Sequence, residues 1–468
     1  RKKDQTIATH HIFLLTLLSD IYYDQLMILN KIHIENFRCF QIYNLELAPS
    51  VTVLIGKNGA GKSTLIHAIH KALSFVFKKD QDPKANTLSA GIPALKVEPI
   101  QKKDAWFNYA TGFPANYVSI QAEGQFLGQD LTWEMLSKTS TGNMQPTTYK
   151  DAFNQFMHQY EETNTLPVLA FYSDSFPHVK SKETDTSKMR KSRNFGYYQW
   201  NEETACSSIW IKQFKTTWKQ WDRLDRKIKD KELLSEGLEL LKKQRADVLK
   251  EKDAITGCLK TFTKGDSTIE VTDLFLDVFN EELCTETSSG RDYSFERLPA
   301  GYKRLLYIVM DIAYRSFILN GNINSPGVVI IDEIDLHLHP SLEQEVLQRL
   351  QRTFPKIQFI VSTHSPLVIA NLQTADGKNC ILQMKEGEQA PLLLPDIYGI
   401  DYNTGVTDIM LTPAQNSQVE LLKESVIRMM HRGKPEKADI YRDDLKKIVS
   451  KSRYAELEKK IEEELSME

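Results

Sequence analysis

Between Ile28 and Ile55, apolar and polar positions alternate in three short runs, ILNKIHIENF, IYNLEL and VTVLIG. β-branched residues dominate, with Asn, Pro and Ser between the runs. A period of two predicts strands. After Gly61 the period changes. Leu65, Ile66, Ile69, Leu73 and Val76 recur at helical spacing and make one apolar stripe. Residues 78–95 read as a loop, 96–125 as strand-rich, 148–162 as a helix and LPVLAFYS (166–173) as a buried strand.

Residues 207–262 predict two helices with a break near Lys231. Trp210, Phe214, Trp218, Trp221, Leu224 and Ile228 stripe the first; Leu234, Leu238, Leu241, Val248, Ile255 and Leu259 stripe the second. Helices of ~25 residues reach about 35–40 Å, so this is a short antiparallel hairpin and not a long coiled-coil arm. From Ser294 to Ala370 helix and strand alternate, and VVIID and IQFIVS are continuous apolar runs, the pattern of parallel strands buried on both faces. The stretch 396–468 reads as helical. It ends in an acidic amphipathic helix with Leu457, Ile461 and Leu465 on one face.

Composition narrows the class. The chain has 468 residues, 26% charged and 41% apolar, which is enough for one or two large cores. That excludes global disorder and a disulfide-stapled miniprotein. The 59 Lys and Arg against 62 Asp and Glu give −3, so nucleic-acid binding would need a local patch. One candidate is the loop from His178 to Arg193, with Lys180, Lys182, Lys188, Arg190, Lys191 and Arg193 against Glu183 and Asp185. A solvated loop is the plainer reading. Five separated cysteines with no CxxC pair suggest reduced thiols and a cytoplasmic protein. The longest early apolar run, Ile12 to Leu18, is too short to cross a membrane and lacks a cleavage site, so no membrane contact is expected. Residues 1–26 precede the strand pattern and read as a leader.

The chemistry is concentrated in four places. Gly56-Lys57-Asn58-Gly59-Ala60-Gly61-Lys62-Ser63-Thr64 is a complete P-loop between a strand and a helix. Its backbone N–H groups suit phosphates, Lys62 suits the β/γ oxygens of ATP, and Ser63 suits Mg²⁺. In VVIIDE a buried strand delivers Asp332 to the Mg²⁺ shell and Glu333 to an attacking water. His364, in THSP after the strand IQFIV, is placed to reach the γ-phosphate. Leu298-Pro299-Ala300-Gly301 precedes a long apolar helix and resembles the signature loop of ABC-type ATPases, with Pro299 in the place of that loop's serine.

Together with Asn36-Phe37-Arg38 and EIDLHLHP, these motifs resemble ABC-type ATPases of the RecF/SMC/OLD group over about residues 27–375. The stretches LPVLAFYS, FGYYQW, WIKQFKTTWKQWDR, FPKIQFIVSTHSP and PDIYGIDYNTGV resemble the PtuA family, the ATPase subunits of Septu anti-phage systems, whose relatives accompany some retrons. The family's Tyr-x-x-x-Arg after the 168–172 strand is absent here. The resemblance implies an α/β ABC-type P-loop ATPase head with a helical-hairpin insertion and a helical C-terminal region. The expected divisions are 27–206 (N-lobe with P-loop), 207–262 (helical pair), 263–395 (C-lobe) and 396–468 (tail).

The resemblance also implies a homodimer with two composite ATP sites, each P-loop facing the partner's Gly301 loop. Asp335 would meet the partner, Arg38 would lie near the nucleotide, and His337 and His339 would be structural. The residue linking nucleotide to lobe motion stays open among Gln101, Asp104 and Gln121. After Pro366 no DxD cluster appears, and the eleven histidines form no HNH pattern, so an ATPase without its own nuclease is expected, acting beside an HNH nuclease subunit. A DNA-repair or recombination ATPase of the RecF/SMC type that binds DNA directly is the alternative.

Overall fold

Val51–Ile55, Val328–Ile331 and Ile357–Val361 are apolar at nearly every position, and each is buried on both faces. The computed structural model describes residues 27–78, 88, 95–138, 143–173, 192–200, 206–229, 235–277, 279–410 and 417–466. The leader at 1–26 and almost all of the basic loop from His178 lie outside the described residues. The chain divides into two units, Arg1–Gly399 and Ile400–Glu468.

In the first unit the strands are β1 (Met27–Phe37), β2 (Phe40–Glu46), β3 (Val51–Gly56), β4 (Phe107–Asn108), β5 (Phe113–Pro114), β6 (Tyr117–Phe126), β7 (Gln129–Lys138), β8 (Asn143–Met144), β9 (Val168–Tyr172), β10 (Val271–Asp277), β11 (Glu282–Thr287), β12 (Tyr293–Ser294), β13 (Gly327–Ile331), β14 (Ile357–Ser362), β15 (Asn379–Met384) and β16 (Leu392–Leu393). Its helices are α1 (Lys62–Leu73), α2 (Lys150–Thr163), α3 (Cys206–Lys229), α4 (Ser235–Thr263), α5 (Ala300–Asn320), α6 (Pro340–Glu343), α7 (Val346–Thr353) and α8 (Pro366–Ala370).

A six-stranded sheet runs β16-β15-β3-β14-β13-β9, parallel except for β16 at its edge. It draws strands from both sides of the helical pair, so one core spans them. A second, antiparallel sheet runs β2-β1-β6-β7-β8. Gln358, the second residue of β14 and 1% exposed, joins the two sheets. Its Oε1 accepts the Leu29 N–H at 2.8 Å, and its Nε2 donates to Leu29 O at 2.9 Å and Ala48 O at 2.7 Å. A polar residue inside an apolar run is tolerated because its amide is fully engaged there.

The helical pair is α3 with 24 residues and α4 with 29. Only the root of the α3 stripe is core: Trp210 and Phe214 are each 1% exposed. Trp218, Trp221 and Leu224 are half-buried. Cations cover part of that surface. Lys252 lies 5.2 Å from the Trp218 ring centroid, and Arg245 lies 5.8 Å from that of Trp221.

Helix α5 is buried almost all round, which fits a central helix rather than a surface one. Within it Asp311 and Arg315 form an ion pair at 2.6 Å, both essentially inaccessible. Asp311 also accepts hydrogen bonds from Tyr172 Oη at 2.5 Å and from Trp210 Nε1. One carboxylate thus ties β9, α3 and α5 together.

The second unit contains a cluster of the three helices α9 (Ser417–His431), α10 (Pro435–Ile448) and α11 (Lys451–Ser466), after a short helical segment at Tyr402–Thr404. Val426, Ala438, Leu445, Leu457 and Ile461 form its core, with Leu465 packed against it. The apolar face read on the last helix is therefore spent inside this cluster.

Candidate functional site

Strand β3 ends at Gly56 and α1 begins at Lys62, so the P-loop is the connection between a buried strand and a helix N-terminus. Gly61 sits at φ 94°, where a Cβ would lie 2.6 Å from Phe40 Cζ. Glycine is required both for the backbone angle and for the contact. No side chain caps α1, and its first turn holds no acidic residue, so its N–H dipoles are available to an anion. Asn58 and Gly59 are exposed on the loop, as is Ser63 in the first helical turn, with Thr64 half-buried.

Lys62 is 7% exposed, and its Nζ donates to Gly56 O at 2.8 Å and Lys57 O at 3.3 Å. Burial pushes its ammonium below the ordinary lysine value. Asp332, Glu333 and Asp335 oppose that, so these three carboxylates stand close to it electrostatically. The fold brings the P-loop and the Asp332–Asp335 segment together.

Asp332 is reached at the end of β13, where its N–H donates to Tyr172 O at 2.8 Å. Ser362 closes the turn. Its Oγ donates to Asp332 Oδ1 and accepts the Glu333 N–H at 2.8 Å. Glu333 adopts φ 51°, a left-handed angle uncommon outside glycine. Arg304 of α5, 1% exposed, donates to the carbonyls of Asp332 at 2.9 Å, Glu333 at 2.6 Å and Ile334 at 3.3 Å.

Asp335 Oδ1 accepts from Thr363 Oγ1 at 2.6 Å and from the His364 N–H at 3.2 Å. Asp335 is therefore bound to the corner that carries His364, in its own chain. The His364 residue itself is exposed. Gly301 has an intrachain role as well. A Cβ there would lie 2.4 Å from His337 O, so α5 packs its first turn directly on the loop after Asp335. His339 caps α6, its Nδ1 accepting the Ser341 N–H at 3.3 Å.

Arg38 sits in the tight β1–β2 turn at φ 50°. Its Nε donates to Asp104 Oδ1 at 2.9 Å, and Lys71 of α1 lies 3.4 Å from Asp104 Oδ2. Arg38 and Asp332 both act on His67 of α1, whose imidazole is pushed below its ordinary value mainly by burial, with Arg38 adding to that and Asp332 opposing it. Of Gln101, Asp104 and Gln121, Asp104 is the one joined to both Arg38 and α1, while Gln101 lends it a backbone N–H at 3.0 Å. Gln121 lies on β6, opposite His33 of β1.

Arg304, Ser362 and Asp104 carry structure at this site that no motif assigned to them. A signal for Arg304 exists in hindsight: a charge embedded at the start of the apolar run LLYIVM must find buried acceptors.

The donor set fits ATP and Mg²⁺. An uncapped glycine-rich nest with one lysine suits a polyphosphate. A single carboxylate with a helix-borne hydroxyl suits an ion that keeps phosphate and water ligands. Among the described residues, no cluster of three His, Cys, Asp or Glu side chains forms an all-protein metal site. Nor is any described helix long and apolar enough to cross a membrane.

Fold and site define a P-loop ATPase head, with phosphate loop, Asp–Glu turn and histidine corner brought to the ends of parallel strands. A family model described as AAA ATPase domain matches residues 27–369, and the chain belongs to that family. It is 27% identical over 373 residues to "Retron Vc95 probable ATPase" of Vibrio cholerae serotype O1 biovar El Tor, covering 70% of this chain and 68% of that one. It is 26% identical over 409 residues to "Retron Ec83 probable ATPase" of Escherichia coli, covering 76% and 71%. A shorter match to "Septu protein PtuA" of Bacillus mycoides (strain KBAB4) is 37% identical over 123 residues, 25% of this chain and 17% of that one.

Proposed function

We propose that this chain is the ATP-binding and hydrolysing subunit of an anti-phage defence complex, and that it regulates a separate HNH nuclease. The observation that carries the ATPase reading is the parallel pairing of β3 and β13 on either side of β14, which brings the P-loop after β3 and the Asp332–Glu333 turn after β13 to the same edge of the sheet. The defence role rests on the similarity to retron ATPases and to PtuA.

In this reading the N–H groups from Gly56 to Thr64 and the Lys62 ammonium hold the phosphates. Ser63 and Asp332 would hold Mg²⁺, and the ion would supply neutralisation of phosphate charge. Glu333 takes the proton of the attacking water, and His364 reaches the γ-phosphate. Two chains form the composite sites, each with the other's Gly301 loop opposite its P-loop. Arg38 lies at the nucleotide's side, braced by Asp104. The chain cuts no DNA itself.

The direct test is Lys62→Ala, which should abolish or strongly weaken ATP binding, measured by calorimetry. Unchanged affinity would sink the assignment.

The nuclease is expected to dock on the outer surface of the 400–468 unit, where Tyr402, Leu421 and Ile440 are more than half exposed. Truncation after Gly399 should leave ATP binding intact and remove nuclease copurification. Capture at full strength by the truncated protein would move the docking surface elsewhere, most simply to the α3–α4 pair.

A further inference from the structure

Arg304 is a buried guanidinium in a helix that is buried almost all round, and its acceptors are concentrated in one place. It donates to the backbone carbonyls of Asp332, Glu333 and Ile334, and also to Ser173 O at 3.4 Å. Three consecutive carbonyls of the turn that carries Glu333 are thus held by one planar fork. That turn needs holding, because Glu333 takes a left-handed backbone angle that L-residues adopt only when their surroundings enforce it.

The post that carries the fork is itself fixed. Gly301 packs against the His337 carbonyl. Tyr302 Oη donates to Asp266 Oδ1 at 2.7 Å and Oδ2 at 2.9 Å, and Arg349 of α7 donates to Asp266 Oδ2 at 2.7 Å. The first turn of α5 is therefore braced just ahead of Arg304, and a fixed helix start can set the geometry of the turn it holds.

We infer that Arg304 is a positioning residue for hydrolysis: its guanidinium, locked onto the backbone of the Asp332–Ile334 turn, sets the direction in which the Glu333 carboxylate points. This rests on the reading of Glu333 as the group that activates water. A lysine at 304 keeps the charge but offers a point donor instead of a fork, so it cannot hold three carbonyls in register.

The test compares Arg304→Lys in two backgrounds, the parent chain and Glu333→Gln. Affinity for a non-hydrolysable Mg-ATP analogue and the far-UV circular dichroism should stay close to parental. In the parent background kcat should fall about 10²-fold, the scale of a misplacement near 1 Å. In the Glu333→Gln background the same change should lower the single-turnover rate by less than about twofold, because residues acting through one another are not additive. Equal falls in both backgrounds, or an unchanged kcat in the parent, would overturn the inference. If Glu333→Gln alone turns over at the parental rate, Glu333 is not the base and the inference falls with that reading. Should Arg304→Lys lose its fold, Arg304→Gln, a shorter planar donor, carries the same comparison in both backgrounds; an unchanged kcat there overturns the proposal.

Discussion

Glu333→Gln should bind ATP as the parent does and lose turnover by about 10²–10⁴-fold, the usual contribution of a positioned general base. The substitution is nearly isosteric, and the turn is held through its backbone. Ser362 Oγ accepts the residue's N–H, and Arg304 binds its carbonyl, so exchanging the side chain leaves those bonds in place. What is lost is the capacity to accept a proton, which an amide lacks. Nucleotide-bound dimers should then accumulate, visible as a shift in mass by light scattering when Mg-ATP is added. Hydrolysis at the parental rate would remove Glu333 from the mechanism.

The second large effect is on stability. Asp311→Ala should destabilise the first unit by about 3–5 kcal/mol, the range for breaking a buried ion pair from one side. The carboxylate accepts from Arg315 Nε at 2.6 Å, from Tyr172 Oη and from the Trp210 indole. Its removal leaves the Arg315 guanidinium 1% exposed without its counter-charge. The Trp210 ring, stacked on Tyr314 at 5.1 Å, loses its anchor at the root of the helical pair. Thermal melts should show a midpoint lower by several degrees, and tryptophan emission should shift before the global transition. Replacing both partners, as Asp311→Leu with Arg315→Met, should recover part of the loss, because no buried charge is then left alone. An unchanged midpoint in Asp311→Ala would show that the pair is not closed to water.

The P-loop and the Asp332–Glu333 turn were legible in the chain because their chemistry is local. A nest of backbone N–H groups is built by consecutive residues, and glycine spacing declares it. The buried strands were legible for a similar reason, since VTVLI, VVII and IQFIV are apolar at nearly every position. The three-helix cluster at the end was read only halfway. Periodicity marked Leu457, Ile461 and Leu465 as one face, but period alone does not name what covers a face. Val426, Ala438 and Leu445 do so here.

The long-range brackets were not legible. Gln358 reads as one polar residue in an apolar strand, yet it joins two sheets through Leu29 and Ala48. Asp104 was one of three candidates, and its bond to Arg38 of the β1–β2 turn singles it out structurally. Asp266 gathers Tyr302 and Arg349 from distant stretches. Such contacts carry no sequence period, because each is a single polar residue satisfied by whatever the folded chain brings within about 3 Å.

By itself, then, the sequence determined the class of chemistry, the buried parallel strands and the helical pair. The tertiary structure decided which strands lie side by side, which polar groups brace the Glu333 turn, and where Arg304 finds its acceptors. The physical reason is that apolar pattern and loop geometry are properties of consecutive residues. The cost of burying a charge or an amide is met only by partners that arrive when the chain closes on itself.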